Sequence, residues 1–153
     1  MDTHNRLPQR PGHGARPRVV LDTDTYNEID DQFALAYLLL ATDVVAPEAI
    51  YAAPFHNSRS SSPGDGMEKS YDEIEQLLSR MGMSEFPHHR GSSTTLRDMT
   101  TPVESEAARD LVERAMTASP DERLTIIAIG AITNVASALL MEPRIVERAN
   151  VVW

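Results

Sequence analysis

Apolar residues fall along this chain in short blocks whose spacing alternates between an extended and a helical period. Residues 18–21 ("RVVL") form a β-branched run that predicts a short buried strand. Residues 31–41 follow as a helix whose acidic start suits the positive end of a helix dipole. "EAIYAAPF" predicts a second strand near residues 49–53, closed by Pro54, and "HNSRSSSPGDG" reads as a loop. Met67, Tyr71, Ile74, Leu77, Leu78 and Met81 recur at helical spacing, which predicts an amphipathic helix over residues 67–81. The stretch 82–100 reads as irregular, with His88 and His89 as loop residues. A further helix is expected from "TPVE", with Thr101 as N-cap, Pro102 at the first helical position and Glu104 completing a capping box. Its buried face would be Val103, Ala107, Leu111 and Ala115. "LTIIAI" (124–129) is the strongest strand, ended by Gly130. Residues 132–141 read as a helix stopped before Pro143, and "NVVW" (150–153) starts a fourth strand.

Strands alternating with helices predict an α/β fold: a mostly parallel, doubly wound open sheet with helices on both faces. The last strand has no loop after it, so the expectation is a domain truncated after its fourth strand. Residues 1–17, rich in Pro, Gly, Arg and His, are expected to be a disordered leader, and residues 18–153 the domain. In such sheets the site lies beyond the carboxyl ends of the strands.

Charge narrows the function. With 14 basic and 23 acidic residues the formal net charge is −9, and Lys69 is the only lysine, which argues against a nucleic-acid partner. The longest apolar stretch, residues 33–41, is too short to cross a bilayer, and no membrane partner is expected. The absence of Cys removes disulfides and thiolate metal sites and fits a reducing compartment, so a cytoplasmic location is expected.

One segment stands out. Asp22, Asp24, Glu28, Asp30 and Asp31 place five carboxylates in ten positions beside a segment that must be buried. Two like charges about 4 Å apart repel by roughly 4 kcal/mol at an effective dielectric near 20. A cation, a shared proton or solvent must relieve them. On the expected sheet, residues 22–31, His56 with Asn57, and residues 130–134 converge on one rim. Carboxylates, an amide and a carbonyl are hard oxygen donors, suited to Ca²⁺ or Mg²⁺ rather than Zn²⁺. A divalent ion there would offset the crowding and acidify a water, with a carboxylate alongside to take its proton. The plainer reading has Asp30 and Asp31 capping a helix and the others in solvent; the position at the end of the first strand favours the ligand reading.

"VVLDTDTYNEIDDQFAL" together with "IIAIGAITNVASALL" resembles the inosine–uridine preferring nucleoside hydrolases, whose first strand ends in Asp-x-Asp before an Asp-Asp pair and whose later strand runs into Gly-x-x-Thr-Asn. The resemblance covers residues 18–153, about the N-terminal half of a family member. It implies hydrolysis of the N-glycosidic bond of a ribonucleoside in purine or pyrimidine salvage, with Ca²⁺ as cofactor ahead of Mg²⁺. By position, Asp24 would bind the metal and accept the proton of the attacking water. Asp31 and the Thr133 carbonyl would complete this part of the metal shell, Asp30 would bond a ribose hydroxyl, and Asn57 would help to hold sugar and water. Asp22 would support the loop. The linker "TYNEI" is two residues longer than the family's Pro-Gly-x, which brings Glu28 or Asn27 within reach of the sugar site. The family's remaining metal and ribose ligands, and its His for leaving-group protonation, belong to a C-terminal half. A homo-oligomer is compatible with the family.

Two alternatives stand beside this. A truncated or degenerate half-domain would bind sugar and calcium without catalysis. "VVLDTDT" also matches the opening of haloacid-dehalogenase phosphatases, with Asp22 as nucleophile, Asp24 as acid/base and Mg²⁺ as cofactor.

Overall fold

The computed structural model describes residues 16–153. Five parallel strands form one sheet in the order β3-β2-β1-β4-β5: β1 (Arg18–Thr23), β2 (Ala46–Ala52), β3 (His88–His89), β4 (Leu124–Ala128) and β5 (Ala149–Val152). Four helices cover it: α1 (Ile29–Leu40), α2 (Pro63–Arg80), α3 (Glu106–Thr117) and α4 (Thr133–Met141). The helices divide between two cores. Val19, Leu21, Ile50 and Ala52 pack with Leu35, Leu38, Leu39, Tyr71, Ile74 and Leu78 of α1 and α2 on one face. Val20, Tyr51, Leu124, Ile126 and Ala128 pack with Ala107, Leu111, Val135 and Ala138 of α3 and α4 on the other. The doubly wound expectation is met.

Several boundaries move, for local reasons. The strand expected as the fourth is the fifth, because His88 and His89 pair with Ile50 and Tyr51 at the sheet edge instead of sitting in a loop. Two residues are too few to show an alternating pattern. α2 begins at Pro63, four residues before its apolar periodicity. Ser62 caps it by accepting from the Asp65 N–H at 3.0 Å, and Pro63 occupies the first helical position. α3 begins not at "TPVE" but after Ser105, whose hydroxyl accepts from the Ala108 N–H at 3.1 Å. Asp98 takes the N–H groups of Thr100 and Thr101 at 2.8 and 2.7 Å, and the Val103 N–H goes to Ser137 Oγ, so the backbone of 100–103 is committed elsewhere. The leader expected over residues 1–17 lies outside the described residues up to residue 15. Pro17 belongs to the fold, its carbonyl accepting from the Ala46 N–H at 2.8 Å.

Strand order fixes where a site can form. The chain leaves β1 toward β2 on one side and returns to β4 on the other, so the carboxyl ends of β1 and β4 flank a topological switch point. The crossover segments part there and leave a crevice. No helix among the described residues is long and apolar enough to cross a membrane. One feature of α1 is unusual for a surface helix: Ile29, Phe33, Tyr37 and Leu40 form an outward stripe, with Phe33 70% and Tyr37 77% exposed.

Candidate functional site

Asp22 and Thr23 end β1 at the switch point, Asp24 follows directly, and the Thr23 side chain reaches Asp31 of α1. Asp22 is fully buried. Its Oδ1 accepts from Asn134 Nδ2 at 2.7 Å, while its Oδ2 has no hydrogen-bond partner. Burial pushes its carboxyl up to about 7, against the bond from Asn134 and with help from the nearby Asp24 charge. Asp24 is raised to about 6, first by burial and then by the neighbouring Asp31 carboxyl. The two acids expected to share a cation are therefore close enough to influence one another. Asp31 is buried in the first turn of α1, and Thr23 Oγ1 donates to its Oδ2 at 2.6 Å. A further hydroxyl, that of Thr25, stands 3.0 Å from Thr23 Oγ1.

The end of β4 closes on this pair. A Cβ on Gly130 would stand 3.1 Å from the Asp24 backbone nitrogen and 3.2 Å from its carboxyl carbon, so the bare glycine lets the two strand ends approach. Thr133 opens α4 directly behind and is buried. From the β2 side, Asn57 Nδ2 donates to Asn27 Oδ1 at 2.7 Å, and Asn27 Nδ2 donates to Asp24 Oδ2 at 3.0 Å. All three rim segments foreseen from the sequence converge, with Asn57 reaching Asp24 through Asn27. Asp30 and Glu28 stand exposed at the rim, and neither is drawn into the buried cluster.

Asn134 ties the rim together, a role its place in the sequence did not announce. Asn134, fully buried, spends both amide hydrogens and both carbonyl lone pairs: Nδ2 donates to Asp22 and to the Ala52 carbonyl at 3.1 Å, and Oδ1 accepts from Ser92 N–H at 2.7 Å and Ser92 Oγ at 2.9 Å. It joins the ends of β1 and β2 and the segment after β3 to α4. Gly91 makes room for this, since a Cβ there would fall 1.9 Å from the Ala52 carbonyl oxygen. The available signal was the Asn beside Thr133 in "GAITN", read for its neighbour's carbonyl alone.

The donor set suits a hard divalent cation. Asp24 and Asp31 supply two carboxylates whose mutual repulsion a cation would relieve, and the strand-end carbonyls are further oxygen donors. Among the described residues no group of three or more His, Asp or Glu side chains gathers as a metal site, so the remaining donors of this half would be carbonyls or waters.

The comparisons with known proteins agree with this frame. A model of the inosine-uridine preferring nucleoside hydrolases matches residues 19–153. No curated protein matches the sequence. Among solved structures, a plant nucleoside hydrolase superposes with a TM-score of 0.65 at 18% identity, over 90% of this chain and 47% of that one. The purine-preferring ribonucleoside hydrolase from Gardnerella vaginalis superposes with a TM-score of 0.66 at 18% identity, over 89% of this chain and 48% of that one. The chain thus spans about half the length of each, and at such identity the likeness is one of fold.

Proposed function

The chain belongs to the inosine-uridine preferring nucleoside hydrolase family, and on that premise we propose that its residues serve hydrolysis of the N-ribosyl bond of a ribonucleoside. The observation that carries the reading is the close approach of Gly130 to Asp24 at the switch point between β1 and β4, with Asp31 held by Thr23 and acting on the Asp24 carboxyl. In this reading Asp24, Asp31 and the Thr133 carbonyl hold a divalent cation, Ca²⁺ in preference to Mg²⁺. When bound, the cation supplies a lowered pKa for the attacking water. Asp24 is the general base, steadied by the Asn27 amide on Oδ2. Asp30, Glu28 and Asn57 at the rim address the ribose hydroxyls, and the carboxylates favour the positive charge that grows on the sugar in an oxocarbenium-like transition state. The proposed setting is nucleoside salvage in the cytoplasm, with homo-oligomerisation as the proposed assembly.

The test is release of ribose from inosine and from uridine by the chain in Ca²⁺-containing buffer. Asp24→Ala is expected to lower the rate by about a hundredfold or more with the circular dichroism spectrum unchanged. Undiminished hydrolysis in that variant would remove the mechanism. A second reading is a sugar- and calcium-binding unit without turnover; ribose and Ca²⁺ binding with no hydrolysis would select it. The haloacid-dehalogenase resemblance would also call for a lysine, and the only one, Lys69, lies on α2 with Nζ held 2.9 Å from both Asp65 Oδ2 and the Arg59 carbonyl.

A further inference from the structure

The turn between β1 and α1 carries a residue whose every polar group is engaged. The Asn27 backbone N–H donates to the Asp24 carbonyl at 2.6 Å and closes a tight turn. Its Nδ2 donates to Asp24 Oδ2 at 3.0 Å, its Oδ1 accepts from Asn57 Nδ2 at 2.7 Å, and its carbonyl accepts from the Arg59 guanidinium. Asn57 is oriented in turn, because its own Oδ1 accepts from the Arg59 N–H at 2.9 Å. The chain of donors has one direction: Arg59 N–H sets the Asn57 amide, the Asn57 amide sets Asn27, and Asn27 presents an N–H to Asp24. An amide that pivoted would put its oxygen against the Asp24 carboxylate and its NH₂ against that of Asn57, so both contacts would turn repulsive together.

We propose that Asn27 is a positioning residue for Asp24, holding Oδ2 so that the carboxylate presents its other oxygen to a divalent cation shared with Asp31, and that Asn57, whatever it does at the sugar, bears on the cation through Asn27. The inference rests on the cation reading given above. The arrangement is symmetrical in its logic: Thr23 Oγ1 fixes Asp31 by its Oδ2 as Asn27 fixes Asp24 by its Oδ2. Partners of this kind, which orient a ligand without touching the metal, typically alter affinity by ten- to a hundredfold when removed.

The experiment is calorimetric titration of the full chain with Ca²⁺ alone, alongside the calcium-free melting temperature of each variant. Asn27→Ala is expected to weaken Ca²⁺ by about tenfold or more, within the range for such partners, with the calcium-free melting temperature unchanged. Asn57→Ala should weaken it in the same direction, and the double variant should be no worse than Asn27→Ala. Wild-type affinity in Asn27→Ala, with the wild type binding, would overturn the inference and leave the cation reading standing. Effects of Asn27→Ala and Asn57→Ala that multiply would overturn the relay. Failure of the wild-type chain to bind Ca²⁺ would overturn both readings together.

Discussion

Asp22 shows how a buried acid can be both necessary to a fold and costly to it. Its carboxyl is pushed up to about 7 from 3.8, so between those values the folded chain binds a proton that the unfolded chain releases. Stability from this group is complete below about pH 4 and is lost as pH rises toward 7. Asp24, raised to about 6, acts in the same direction over a narrower window. Asp98 at an exposed position and Glu142 at a half-buried one, both lowered to about 2 by hydrogen bonds, act oppositely, since their contribution is lost only as pH falls below the ordinary carboxylate range. In calcium-free buffer the denaturation midpoint should therefore decline from pH 4 to pH 7, and Asp22→Asn should flatten the decline. A wild-type midpoint that climbs through that range would contradict the assignment. That acids crowd at the end of the first strand was legible in the sequence. That Asp22 turns inward onto Asn134, while Asp24 turns to Asn27, was not: strand alternation would put residues two apart on one face, and Asp24 departs from Asp22 because β1 ends at Thr23 and the turn closed by Asn27 begins there.

At the scale of elements, α4 does more than cover the sheet. Its second residue, Asn134, makes four hydrogen bonds that clamp the ends of β1 and β2 and the segment after β3. Asn134→Ala would leave the Asp22 carboxylate, the Ala52 carbonyl and the Ser92 N–H without this partner in a buried place. At about 1–3 kcal/mol for a buried group left unpaired, urea denaturation should show a loss of roughly 2–4 kcal/mol. A loss under about 0.5 kcal/mol, the usual span of a surface change, would mean the clamp is dispensable. The elements themselves were legible where burial imposes a period: β1, β4, α1 and α4 fall within two residues of expectation or less. They were illegible where polar groups compete for the backbone. Asp98 holds Thr100 and Thr101 in a turn that outbids their capping sequence, and α3 waits for Ser105. The first turn of α2, Pro-Gly-Asp-Gly, carries no apolar residue to announce it.

Across the whole molecule, two cores enclose the sheet, yet the stripe of Ile29, Phe33, Tyr37 and Leu40 on α1 faces outward with no charged residue between Asp31 and Asp43. Isolated exposed apolar residues are ordinary, but a contiguous apolar helix face marks a surface prone to association. The net charge of −9 opposes such association, and salt screens it. Sedimentation velocity should therefore show self-association that strengthens with salt and is lost in a Phe33→Lys, Tyr37→Lys double variant whose melting temperature is kept. A chain that stays monomeric at high concentration and high salt would contradict this. Periodicity alone gave the overall architecture, since alternating strands and helices admit few arrangements; the outward face of α1 escaped notice because residues 33–41 are apolar throughout and read from sequence as buried.

Asp24 and Asp31, over the end of β1, are proposed to hold one cation together with the Thr133 carbonyl. A crystal structure of the chain grown or soaked in Ca²⁺, with anomalous scattering to locate the ion, tests it most directly. The expected result is a single calcium peak within about 2.3–2.6 Å of carboxylate oxygens of both aspartates and of that carbonyl. Both carboxylates turned apart, or a calcium-loaded crystal with no ion between them, would contradict it.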